Sequence, residues 1–190
     1  MFTFPSRFLA LFIFLLPVIA CNTEEQIEPV TDFELTSQEA FFETIRTLCD
    51  QEFQGETTYP EDPDHELADA SLYMHVATCR EDEIRIPFHV DENTSRTWVL
   101  TMDEEGLLLK HDHRHDDGTP EDITNYGGYA NHEGDAFRQY FPADEQTADM
   151  LPEASTNVWM MEVDLEEQTF TYYLERDGEP RYRAEFERLE

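Results

Sequence analysis

From Leu72 onward the chain alternates apolar and polar residues with a period of two, the mark of strands that bury one face. Leu72, Met74 and Val76 alternate with Tyr73, His75 and Ala77. Ile84, Ile86, Phe88 and Val90 alternate with Arg85, Pro87 and His89, and Trp98, Leu100 and Met102 with Thr97, Val99 and Thr101. Phe53 to Tyr59 is a shorter strand before them, and Asp103 to Gly106 is a turn. The strand that returns begins Leu107-Leu108-Leu109-Lys110 and runs into His111-Asp112-His113-Arg114-His115. Its first face starts with Leu107 and Leu109 and ends in three imidazoles, His111, His113 and His115. Gly127-Gly128 is expected to mark a bend or bulge. Phe137 to Phe141 is a further strand, and Pro142 to Pro152 a loop or short helical turn. Val158 to Leu165, Thr169 to Glu175 and Arg181 to Glu187 end the chain as a meander, whose last hairpin turns at Asp177-Gly178. One earlier segment has the helical period instead. Phe41, Phe42, Ile45 and Leu48, with Thr36 or Ser37 as cap and Glu39 in the first turn, predict a helix over roughly residues 37 to 50.

This pattern predicts a mainly β fold, an antiparallel up-and-down β-barrel of about 8 to 10 strands with one N-terminal helix. A two-sheet β-sandwich is the alternative. Closure is preferred because it removes exposed strand edges. The chain has no repeat of about 20 to 50 residues, which argues against a solenoid or propeller.

The first twenty residues read differently. Arg7 is their only charge, and Phe8 to Ile19 is an almost unbroken apolar run. A run that short is the core of an export signal, not a membrane span. Val18-Ile19-Ala20-Cys21 resembles the bacterial lipobox. The resemblance implies cleavage before Cys21 and acylation of that cysteine, with palmitate among the chains. Ordinary secretory cleavage near Ala20, leaving a free Cys21, is the other reading. Residues 1–20 are then a signal peptide, 21–35 an acylated cysteine and flexible acidic tether, and 36–190 a single barrel domain. Several acyl chains give stable anchoring without a span, since each buried methylene contributes about 0.8 kcal/mol. The expected location is the bacterial cell envelope, and Asn22 after the cysteine favours the outer membrane.

Composition narrows the partners. Asp and Glu number 44 against 12 Lys and Arg, a formal charge of −32 that becomes one unit more negative once Arg7 is removed. Such an excess repels phosphate, so no nucleic acid is expected as a partner, nor docking of the folded surface on anionic lipid. The excess fits solubility in high salt; a cation-buffering surface is the sharper reading, and charge alone does not separate them. A monomer is expected. With Cys21 acylated, Cys49 and Cys79 remain, and export places them where a disulfide forms. Two buried thiols are the alternative, and the absence of any CxxC unit argues against zinc held through them.

Three constellations carry candidate chemistry. Alternate histidines on a strand lie about 7 Å apart, close enough to share a metal. His111, His113 and His115 are therefore a candidate zinc site, with His89 or His75 as a further ligand and Asp116, Asp117, Glu121 or Asp122 as carboxylate. Imidazoles simply exposed at a strand end are the plainer reading. A histidine beside a carboxylate is a candidate general base, His113 with Asp116 for instance. No nucleophile motif, metalloprotease helix or phosphate loop accompanies it, and no catalytic residue is assigned. Finally, Arg85, Arg96, Trp98, Tyr126, Tyr172, Arg181, Tyr182 and Arg183 form an aromatic and arginine set, in which Arg96 beside Trp98 is a candidate clamp for a carboxylate at a barrel mouth; ion pairing of Arg96 with surface acids, with Trp98 in the core, is the equal alternative. Arg181 and Arg183 alternate with Tyr182 and Ala184 and are expected to pair with surface acids.

The helix followed by Leu48-Cys49 and Phe53-Gln54-Gly55 resembles the opening of calycin-type barrels, the lipocalin and fatty-acid-binding group. Those barrels usually carry Gly-x-Trp where this chain has Gly55-Glu56-Thr57. The resemblance implies a pocket for a small, mostly apolar ligand. Residues 41 to 188 also resemble uncharacterised secreted bacterial proteins with runs such as Arg85-Ile86-Pro87-Phe88-His89 and Ser95-Arg96-Thr97-Trp98, and no activity comes with that likeness. The function expected is a membrane-anchored barrel that binds a small ligand through Arg96, Trp98, His89, His111, His113 and Tyr126. A zinc-dependent enzyme or metal-binding protein, and an envelope interaction module without a pocket, are the alternatives.

Overall fold

The computed structural model describes Met1 and residues 35–60, 64–65 and 67–190. The predicted leader, Cys21 and the tether as far as residue 34 lie outside the described residues. Helix α1 (Ser37–Arg46) is capped by Thr36, whose hydroxyl accepts from the Glu39 amide at 3.2 Å. The Glu39 carboxylate accepts from the Thr36 amide in return, completing a capping box. The helix stops four residues short of its predicted end. Leu48 and Cys49 bond back three residues, to Ile45 and Arg46, and the Asp50 amide donates to Val76. Asp50 takes a φ of 62°, outside any helix. Cys49 is bonded to Cys79, 30 residues on.

Eleven strands follow: β1 (Glu52–Tyr59), β2 (Leu72–His75), β3 (Thr78–Cys79), β4 (Glu83–Val90), β5 (Asn93–Asp103), β6 (Gly106–His113), β7 (Tyr126–Tyr129), β8 (Arg138–Pro142), β9 (Asn157–Asp164), β10 (Thr169–Arg176) and β11 (Glu179–Arg188). A short helix α2 (Glu145–Met150) lies between β8 and β9. The strand order is β7-β6-β5-β4-β2-β1-β11-β10-β9-β8, with β3 also on β4. Chain neighbours are therefore sheet neighbours from β4 to β7 and from β8 to β11, while β2 pairs with β4, β1 pairs with β2 and β11, and β7 and β8 are the two ends of the sheet. That is an up-and-down antiparallel barrel, nearly closed, and the sandwich alternative falls away. β2 and β3 pair successively along the same edge of β4, so the strand count exceeds the expected range partly through an interrupted strand.

The sheet's two ends, β7 and β8, meet at a seam made of single bonds. The Asn131 amide donates to Tyr140 at 2.8 Å, and the Asp144 amide to Gly127 at 2.9 Å. Thr147 of α2 is fully buried here. Its hydroxyl accepts from the Gly127 amide at 2.7 Å and donates to the Gly127 carbonyl at 2.8 Å. Lys110, the chain's one lysine, reaches across from β6 to the Asp144 carboxylate at 2.5 Å. Burial works to raise the Asp144 pKa, but the bonds from Lys110 and Thr147 outweigh it and hold the carboxyl below its usual range. Gly127 and Gly128 are not the expected bend or bulge. They sit inside β7 because a Cβ at Gly127 would lie 2.0 Å from the Leu109 carbonyl oxygen, and one at Gly128 2.0 Å from that of Pro142. Gly127 also holds a φ of +148°.

The alternation read from the sequence is the inside of this barrel. Phe53, Leu72, Met74, Ile84, Ile86, Trp98, Leu100, Leu107 and Leu109 are buried, and β5 pairs with β6 so that Met102 faces Leu107, Leu100 faces Leu109 and Trp98 faces His111. Helix α1 buries Phe41, Phe42 and Ile45 in the same core. Its Gln38 amide group donates to Ala130 and accepts from the Leu107 amide, at the end of the barrel where β6 begins. One end is thus plugged by the helix. The other end, where β6 finishes in His113, is left to side chains.

Replacing Thr147 by Val keeps the volume but leaves the buried Gly127 amide without its acceptor. The expected cost is roughly 1 to 3 kcal/mol. Urea unfolding should show that loss for Thr147→Val and much less for Thr147→Ser, and amide exchange at Gly127 should quicken with it.

Candidate functional site

At the end of the barrel away from α1 the inward faces of β4, β5, β6, β7, β9, β10 and β11 enclose a cavity of about 370 Å³. Pockets for small molecules begin at roughly 300 Å³. Its deeper wall is aromatic. Trp98 stacks on Phe88 at 4.7 Å between centroids and on Tyr172 at 4.6 Å. Tyr126 stacks on His111 at 4.6 Å, and Trp159 lies 5.1 Å from the His111 ring. Alternation puts each of these on the inner face, and the β5–β6 and β6–β7 registers bring Trp98 and Tyr126 to either side of His111.

His111 is only 4 % exposed and both its ring nitrogens are bonded. Nδ1 lies 3.1 Å from the Tyr126 carbonyl and Nε2 2.7 Å from the Tyr172 hydroxyl. A carbonyl only accepts, so Nδ1 carries the proton and Nε2 accepts from Tyr172. Burial pushes the His111 pKa down to about 3, against a smaller rise from the Tyr126 carbonyl. Burial likewise lifts the Tyr172 hydroxyl well above its ordinary value. The pair is a neutral, locked prop beneath the cavity.

His113 stands one step nearer the opening. Its Nε2 lies 3.0 Å from the Tyr126 hydroxyl, and its Nδ1 is 3.9 Å from Glu121, too far for a hydrogen bond. Burial lowers the His113 pKa, and the Arg96 guanidinium directly across β5 lowers it further. Burial raises the Tyr126 hydroxyl to about 12, so it is protonated at neutral pH. Arg96 has an Nη1 that is buried without a hydrogen-bond partner. Together, Arg96, His113 and Tyr126 offer donors and one cation at the lip of an aromatic chamber.

The zinc assignment is overturned. No group of three or more His, Cys, Asp or Glu able to hold a metal exists among the described residues. The reason is visible at each ring. His111 has spent both nitrogens on Tyr126 and Tyr172, His113 faces Tyr126, and His115 lies beyond the end of β6, exposed. Asp112, between them, points to the outer face and is covered there. Arg114 Nε donates to it at 2.9 Å and Arg85 Nη1 at 3.3 Å. Asp116 is exposed, and Glu121 is the acid that His113 faces instead.

Of the six residues predicted to bind a ligand, Arg96, Trp98, His111, His113 and Tyr126 line the cavity. His89 does not; it follows the outward phase of β4 and packs beside Tyr73, 5.1 Å between ring centroids. Among the other lining residues, Trp159 and Arg176 were not singled out, and Arg181, expected to pair with surface acids, lines the cavity instead. Trp159 belongs to the inward phase of β9, with Asn157, Met161 and Val163, and strict alternation was enough to find it. Arg176 is one step along the phase of Phe170, Tyr172 and Leu174, and extending that phase finds it too. Arg181 breaks that phase, and Pro180 before it is the only local signal. Leu174 opposes Tyr182 while Glu175 opposes Pro180, so Arg181 is the extra residue of a bulge, which re-aims its side chain to the mouth. Arg183 does pair with a surface acid, Glu185, at 2.8 Å.

The locked histidine has a pH signature. Its folded pKa, about 3, is below the unfolded value near 6.5, so protons favour the unfolded chain. The stability it contributes is complete above about pH 6.5 and is lost as pH falls towards 3. Over that window the wild type should lose stability relative to His111→Gln in urea titrations, by up to roughly 5 kcal/mol. A constant difference between the two proteins across the window would contradict the burial argument.

Compared with protein-family models and with curated proteins, the chain matches none.

Proposed function

We propose that this chain is an exported, lipid-anchored envelope protein whose barrel takes a small, mostly apolar molecule through its open end. The observation that carries the binding half is the cavity itself: about 370 Å³, walled by Trp98, Tyr126, Trp159 and Tyr172, at the end of a barrel whose other end is plugged by α1. A filled interior would have left the fold without a use for that mouth, and the cavity therefore favours a ligand-binding barrel over an interaction module without a pocket. The likeness of the opening segment to calycin-type barrels leads to the same reading. The anchoring half rests on sequence: the apolar run Phe8 to Ile19 followed by Val18-Ile19-Ala20-Cys21. The outer membrane is the location this reading favours.

Both halves have direct tests. Trp98 and Trp159 are the chain's two tryptophans and both line the cavity, so intrinsic fluorescence reports its occupancy. Titration with N-phenyl-1-naphthylamine, a neutral aromatic probe, should quench tryptophan emission saturably. Filling the chamber by Ala154→Trp should abolish that quench, whereas a response without saturation would remove the pocket. Expression in a bacterial host with tritiated palmitate should label the wild type and not Cys21→Ser; equal labelling would refute the anchor.

A further inference from the structure

Among the described residues the cavity gathers arginines that have no carboxylate partner. With 44 acids to 12 bases, an arginine placed at random meets a carboxylate. Arg46, Arg80, Arg85, Lys110, Arg114, Arg138 and Arg183 each do so. Among the described residues Arg96, Arg176, Arg181 and Arg188 have no carboxylate within ion-pair distance; the first three line the cavity, and Arg188, at the other end of β11, bonds to the Gln51 side chain at 3.4 Å. Glu153 faces the same cavity and bonds to none of them. Arg176 has Nε on the side-chain carbonyl of Asn157 at 2.8 Å, a neutral acceptor that positions it without cancelling its charge. Arg96 keeps a buried N–H with no acceptor, a cost that a bound acceptor would relieve.

We infer that the cavity selects a planar aromatic acid, its ring among Trp98, Tyr126, Trp159 and Tyr172 and its carboxylate or sulfonate on Arg96, Arg176 and Arg181. The inference rests on the small-ligand reading of the same cavity and adds the chemical class. Guanidinium groups suit oxyanions because they present paired N–H donors in one plane. The aromatic wall suits a ring because offset stacking and edge contacts reward flat partners beyond the area they bury. The bulge at Arg181 fits this use, since regular alternation would turn that side chain to the outer surface, where Arg183 already pairs with Glu185. Long-range attraction does not account for it, because the net charge of −32 repels anions.

Two probes that differ in one group separate this inference from the reading beneath it. N-phenyl-1-naphthylamine and 8-anilinonaphthalene-1-sulfonate share their ring systems, and only the second is an anion. Tryptophan quenching should show the sulfonate binding about tenfold or more tighter to the wild type, the gain expected of a charge-assisted contact. Arg96→Gln should remove most of that preference, lowering the sulfonate's affinity by a larger factor than the neutral probe's. Arg181→Gln, on an exposed bulge that tolerates the change, should reduce the preference as well, and Arg188→Gln at the opposite end of β11 should not. Equal affinities for the two probes, or a preference that survives Arg96→Gln and Arg181→Gln together, overturns the anion assignment while the pocket stands. Quenching by neither probe overturns both.

Discussion

A sheet that nearly closes must satisfy its backbone at the seam as well as along its ladders, because buried amides and carbonyls left unpaired cost about as much as the bonds they lack. Here the closure falls on Gly127. Its amide and carbonyl are both taken by the Thr147 hydroxyl, and its carbonyl also takes the Asp144 amide. Two glycines let β7 lie close to Leu109 on one side and to Pro142 on the other. Everything inside depends on that approach. β7 carries Tyr126, whose carbonyl fixes the His111 tautomer and whose ring covers it. If β7 stood away from β8, Tyr126 and Trp159 would not converge, and the chamber would have no wall between β6 and β9.

Much of this was legible, and the reason is the period of two. Once one residue of a strand faces inward, the phase assigns the rest, so Leu107, Leu109, His111 and His113 share the inner face; the same phase extended to His115 fails because β6 ends at His113. The same rule should have turned His89 outward, since it shares the phase of Arg85 and Pro87; assigning it to the ligand set went against the pattern. What alternation does not carry is the place where it breaks. Arg181 reaches the mouth through a register shift, and the one mark of it in Glu-Pro-Arg-Tyr-Arg is Pro180, a residue that sheets confine to edges, first positions and bulges. Nor does it carry contacts across the sheet. A row of three histidines is a fair metal pattern in one dimension, but the ring beyond each imidazole decides its fate, and Tyr172 is 61 residues away from His111. The glycine pair was misread for a related reason. Its explanation is the backbone of β6 and β8, distant in sequence, not a local turn.

The polar groups inside the barrel divide by depth. His111 and Tyr172 satisfy one another and the Tyr126 carbonyl, so the deep pair is neutral and complete. A buried imidazolium there would need an acceptor that the site does not offer, and the pKa near 3 expresses that lack. At the lip the balance reverses. His113 and Tyr126 bond to each other, and the nearby guanidinium of Arg96 is left with donors to spare. Depth thus separates a complete structural network from one that keeps an unpartnered donor at the opening.

The outer surface and the mouth then behave differently in salt. Carboxylates dominate the chain, and their mutual repulsion acts through solvent, where the screening length is about 8 Å at physiological ionic strength. Raising salt relieves that repulsion and the barrier it sets against an approaching anion. Contacts inside the cavity are partly shielded from solvent and weaken less, because mobile ions enter a desolvated pocket poorly. Added salt therefore strips away the long-range penalty faster than the short-range attraction of Arg96, Arg176 and Arg181. On the anion reading, moderate salt strengthens capture, the reverse of what simple attraction to a basic surface gives, and the sign follows from placing a few cations inside an otherwise acidic shell.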